Sequence, residues 1–177
     1  MATPKAQLDD FIDKYSPAVA REGRAALRRL RRFAPGAVEL VYDNYNWLVV
    51  GFGPNERASD AVFSLVFAPR WLALCFLQDA PALPDPDRLL RGSGKVVRNV
   101  RVMSAKDLDA PAVRTLIATA LKRADVPIKK ASRGRIAIRA ISRKQRPRRP
   151  LRAKARSATT GSPAIARSAA AGPTPSR

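Results

Sequence analysis

The spacing of apolar residues changes several times along the chain. Over residues 6–14, Leu8, Phe11 and Ile12 recur at three-to-four spacing with Asp9, Asp10 and Asp13 around them, which predicts a short helix. Ser16-Pro17 then restarts the chain. A serine hydroxyl accepts from an otherwise unpaired backbone N–H, and proline suits the first helical position, where no N–H is needed. Val19, Ala26, Leu27, Leu30 and Phe33 form the apolar side of a second helix that runs to about Arg32 and stops at Pro35-Gly36.

The period then shortens to two. Val38–Tyr42 alternates, Trp47–Phe52 is apolar throughout, Ala61–Ala68 puts Phe63, Leu65 and Phe67 on one face, and Trp71–Leu77 follows after Pro69-Arg70. Connections this short predict an antiparallel meander, because parallel pairing needs a crossover of a dozen or more residues. Three prolines mark residues 78–94 as a surface loop, and Val96–Val102 reads as a fifth strand. Val113, Leu116, Ile117, Ala120 and Leu121 then draw a helical stripe, with Asp109 as its expected cap and Pro111 in its first turn. Beyond Asp125, Arg135–Ser142 reads as one further edge strand whose arginines discourage edge-to-edge association. The fold class expected is α+β: an antiparallel sheet of about five strands, with a sixth at its edge, packed with two N-terminal helices and one C-terminal helix. The expected organisation is a domain over 1–125, a basic extension over 126–145, and a disordered basic, then Ala/Ser/Pro-rich, tail over 146–177.

Charge sharpens that division. The net charge is +20, yet residues 126–177 hold 15 Lys or Arg and no Asp or Glu, while residues 1–125 carry only +5. A segment of this density attracts polyanions. The cations expected to do so are Lys129, Lys130, Arg133, Arg135, Arg139, Arg143, Lys144, Arg146, Arg148, Arg149, Arg152, Lys154 and Arg156. The expected partner is nucleic acid or another polyanion, bound without sequence preference, because a proline-broken flexible segment cannot hold side chains in a groove.

Several chemistries lack their residues. There is no histidine and one cysteine, Cys75, so a Ser-His-Asp triad, a Cys-His pair, a structural zinc site and an intramolecular disulfide are all excluded. The expectation is a protein without catalytic activity and without a bound cofactor. The N-terminus shows no apolar signal region and no stretch approaches the roughly 18 apolar residues of a membrane span, so the expected compartment is the cytoplasm.

Three weaker patterns remain. Arg91-Gly92-Ser93-Gly94-Lys95 suggests a phosphate loop, but Leu89 and Val96 stand where glycine and Ser or Thr are needed, and a strand follows where a helix should open. A glycine turn is the expected role, with a weak anion patch at Arg88, Arg91, Arg98 and Arg101 as the alternative. Arg21, Arg24, Arg28 and Arg31 share one stripe of the second helix, either a solvated face or a phosphate-contacting one. Tyr42, Tyr45 and Trp47, beside Asp43 and Asn44, are a candidate ligand pocket.

The helix–strand opening, the Tyr42–Phe52 hairpin, Leu89-Leu90-Arg91-Gly92-Ser93-Gly94-Lys95 leading into a strand, and Asp109-Ala110-Pro111-Ala112-Val113 opening the last helix resemble the bacterial YdhG-like domain of unknown function over roughly residues 5–125. Residues 138–150 look like a tail that recurs on such domains. The resemblance implies a small α+β fold with an antiparallel sheet and no established activity. Some members are labelled frataxin-like iron chaperones. That label implies iron held by exposed carboxylates, for which Asp9, Asp10 and Asp13 are the nearest match, with Glu39 and Asp43 behind them. The arginines just downstream depart from that pattern and oppose cation binding.

Overall fold

A computed structural model describes residues 2–150. Helix α1 spans Pro4–Asp13 and α2 spans Pro17–Phe33. Both open on the same device. Thr3 and Ser16 accept from the backbone N–H groups of Ala6 and Val19, and a proline takes the first helical position. The start of α1 is two residues earlier than its apolar spacing suggests, because Thr3-Pro4 repeats the Ser16-Pro17 signal.

Strands β1 (Val38–Asp43), β2 (Leu48–Gly53), β3 (Phe63–Phe67), β4 (Leu72–Phe76) and β5 (Arg98–Val102) form the expected antiparallel meander. Helix α3 (Pro111–Arg123) follows, and the chain crosses to the opposite edge, where β6 (Arg135–Ile141) pairs parallel to β1. The sheet order is β5-β4-β3-β2-β1-β6. The parallel pairing follows from the path: α3 lies between β5 and β6 and supplies the long crossover that a parallel strand requires. The register slips between Val41 and Tyr42, leaving Arg139 of β6 as an extra residue in a bulge.

Period-two alternation directs one face of the sheet at the helices. Leu48, Val50, Phe52, Phe63, Leu65, Phe67, Leu72, Leu74 and Phe76 pack there against Leu27, Leu30, Val113, Leu116 and Ile117. Helix α2 lies close enough to β3 that a Cβ on Gly23 would collide with the ring of Phe67. The other face carries only a small cluster of Val38, Leu40 and Ala61, with Tyr42, Leu77 and Ala137 at its rim. None of α1, α2 and α3 contributes to it, and no helix among the described residues is long and apolar enough to cross a membrane.

Asp109 does not cap α3. The cap position is Ala110, which makes no side-chain bond, and Asp109 pairs with Arg29 at 2.7 Å. The local capping box forms one step earlier, where Ser104 and Asp107 bond reciprocally at the start of a 3₁₀ turn over Ala105–Asp109.

Candidate functional site

The basic extension is part of the folded unit as far as it is described. Ile128, Ile136 and Ile138 pack on the main core, and β6 completes the sheet. After β6 the chain continues as a strap. Ser142 N donates to the Asp43 carbonyl and Arg146 N to the Tyr45 carbonyl, each at 2.9 Å.

The strap is pinned by Asp43. This residue ends β1 on the same face as Val41, so alternation drives its carboxylate into the core, where it is fully buried. An unpaired carboxylate there would be prohibitively costly. Lys14 Nζ and Gln145 Nε2 each donate to Oδ2 at 2.6 Å, and Arg148 Nη2 donates to Oδ1 at 2.8 Å. Arg148 Nη2 also donates to the Asn44 carbonyl. Its side chain is 3% exposed, and its guanidinium carbon lies 5.7 Å from the Tyr15 ring. Among the described residues, Nε and Nη1 of Arg148 have no hydrogen-bond partner. Tyr15 is itself locked in place, its hydroxyl donating to the Phe67 carbonyl at 3.0 Å and accepting from Leu48 N at 2.9 Å. Burial raises the Tyr15 pKa above its ordinary value. Arg149 donates to the carbonyls of Asp13, Lys14 and Tyr15 at 3.1–3.3 Å, capping the C-terminal end of α1 where acceptors lack helical partners.

The thirteen cations expected to meet a polyanion are therefore not equivalent. Arg148 is consumed by Asp43, and Arg149 by the end of α1. Arg135 and Arg139 share Glu56 at 2.6 and 2.8 Å, four residues apart and so on one face of β6. Lys129, Lys130, Arg133, Arg143, Lys144 and Arg146 are exposed and have no ion-pair partner among the described residues. Arg152, Lys154 and Arg156 lie outside the described residues. The expectation of a disordered tail from residue 146 does not hold for residues 146–150, which are docked on the domain because Arg148 completes a core ion pair.

Other sequence expectations separate in the same way. Arg24 sits between Asp9 at 3.2 Å and Asp13 at 2.9 Å, and Arg31 makes two bonds to Glu39 at 2.7 and 2.8 Å. The α2 arginine stripe is thus largely neutralised. The same pairs occupy the carboxylates implied for iron: Asp9, Asp13, Glu39 and Asp43 all hold cations, and only Asp10 is without one among the described residues. Among those residues no group of three or more potential ligands is placed to hold a metal ion.

The Gly92 loop is a turn. Gly92 has φ 110°, and Arg91 pairs with Asn99 of β5 through two backbone bonds, so the segment folds against a strand and opens no helix. Tyr42, Tyr45 and Trp47 have different surroundings. Tyr42 joins the cluster on the helix-free face, Tyr45 is exposed with the Arg146 guanidinium carbon 5.9 Å from its ring, and Trp47 packs against Trp71. Comparison of the chain with protein families, with curated proteins and with solved structures finds no match.

Proposed function

We propose that the protein is a non-catalytic cytoplasmic domain, of YdhG-like kinship, that binds nucleic-acid backbones without base specificity through its C-terminal cations. One observation supports this reading above the others. Six exposed cations in residues 129–146 lack acidic partners among the described residues, whereas Lys14, Arg24, Arg29, Arg31, Arg148 and Arg149 are engaged within the fold. Attraction to phosphate comes from cations that remain uncompensated, each of which displaces condensed counterions on contact. The side chains in question are long, exposed and unpacked, which suits tracking of a uniform backbone and not readout of base edges. The iron reading has Arg24 against it, since a guanidinium already bridges the two nearest carboxylates.

Fluorescence anisotropy with two duplexes of unrelated sequence tests the proposal. The full chain is compared with a variant in which Lys129, Lys130, Arg133, Arg143, Lys144 and Arg146 become Gln. The two duplexes are expected to bind the full chain equally, and the variant to bind each at least about tenfold more weakly at low salt. Undiminished binding by the variant, or strong preference for one duplex, contradicts the proposal. Truncation at Asp125 is the wrong comparison, because it removes β6 and two of the three groups that satisfy Asp43.

A further inference from the structure

The helix-free face of the sheet ends in a row of aromatic side chains interleaved with arginines. Trp47 and Trp71 precede β2 and β4 at positions that alternation directs away from the helices. Their rings lie 6.1 Å apart and tilted by 46°, so they are not stacked face to face. Trp47 is 37% exposed. Arg101 of β5 projects to the same side, its guanidinium carbon 5.1 Å from the Trp71 ring. Within the β1–β2 turn, Tyr45 is 51% exposed beside Arg146. Arg70 stands exposed in the β3–β4 connection next to Trp71.

We propose that this face is a stacking platform for single-stranded nucleic acid. The inference rests on the backbone-binding reading above and names the form of nucleic acid that the folded domain prefers. Two independent features favour that occupant. The first is aromatic: unpaired bases expose flat π-faces that duplex DNA keeps stacked inside, and indole and phenol rings at a sheet surface receive them regardless of sequence. The second is charge. The row across the sheet end that carries both tryptophans, and the row behind it from Tyr42 to Arg101, contain no Asp or Glu; the carboxylate that borders Trp71, Glu22 of α2, is already engaged by Arg21 and Ala105 N, while Arg70, Arg101 and Arg146 flank the rings. Cations spaced along an aromatic row match a strand whose phosphates alternate with its bases. Arg146 also belongs to the cation set of the strap, so a strand leaving Tyr45 passes directly onto the basic segment.

Trp47 and Trp71 are the only tryptophans in the chain, so intrinsic emission reports on this end of the sheet. The full chain is titrated with a thymidine oligomer of about 12 nucleotides and with a duplex of equal length. The oligomer is expected to quench tryptophan emission, and Trp47→Leu or Arg101→Gln to weaken its binding about tenfold. Duplex binding is expected to leave emission unchanged and to be indifferent to both substitutions. If the oligomer binds without quenching and both variants bind it normally, the platform is overturned while backbone binding stands. If neither nucleic acid binds, both readings fall. Emission that changes with protein concentration alone, together with dimer formation in sedimentation, would assign the face to a second copy of the chain and also overturn the inference.

Discussion

Asp43 and Arg148 show how much a single buried carboxylate dictates. Asp43 is drawn into the core by strand alternation, and three groups distant from it in sequence converge to satisfy it. Removing one partner of a buried ion pair leaves an uncompensated charge, which costs about 3–5 kcal/mol, and less to the extent that the strap can peel away into water. Asp43→Asn is therefore expected to lower the urea midpoint clearly, and an unchanged midpoint would show that the cluster does not support the fold. Cys75 gives a pH dependence at the same scale. Burial on β4 pushes its thiol up to about 11, against about 8.5 for an exposed cysteine. The folded state thus holds this proton more tightly than the unfolded one. The resulting stabilisation is complete below about pH 8.5 and is lost as pH rises through about 11. Iodoacetamide at about pH 9 should modify Cys75 slowly in the native protein and quickly in urea. Equal rates would contradict the shift.

At the scale of elements, the strap over residues 142–150 is the least expected feature. It joins the end of α1 to the β1–β2 turn through Asp43, Asn44 and the carbonyls of Asp13, Lys14 and Tyr15. Trypsin reads its docking. The Arg146–Pro147 and Arg149–Pro150 bonds resist cleavage because proline follows, and the bonds after Arg143 and Lys144 follow exposed side chains, so Arg148–Arg149, behind the buried Arg148, is the reporting bond. It should be cut slowly in the native chain and rapidly in Asp43→Asn, and rapid cutting in both would show that the strap is not held. The meander, the three helices and the sixth strand were legible in the sequence because each carries a local signal: period-two alternation, a three-to-four stripe, a Ser-Pro start. The strap carries none. Its composition is that of a solvated tail, and its buried anchor is an aspartate about a hundred residues away that reads equally well as a turn residue beside Asn44. The sole sequence trace of that role is parity, since Asp43 shares its face with Val41 and so points at the core. Ion pairing is illegible for the same reason. The arginines of α2 look like an open basic stripe until the fold brings Asp9, Asp13 and Glu39 against Arg24 and Arg31. Trp47 and Tyr45 stood out as aromatics, but Trp71 and Arg101 joined them only through the register of β2 to β5.

Over the whole molecule, charge is sorted by the fold instead of being uniformly displayed. Arg24, Arg29 and Arg31 of α2 are neutralised within the fold, and the densest excess of positive charge stands on residues 126–177, which contain no acid. Backbone binding without base readout then makes a quantitative demand. If about five to eight cations reach phosphates, the logarithm of duplex affinity must fall against the logarithm of salt concentration with a slope of roughly −4 to −7. The direct measurement is that slope, taken by anisotropy on the full chain with one duplex across a salt series. A slope in that range, the same for a second duplex of unrelated sequence, is what the account predicts; a slope near zero would contradict it.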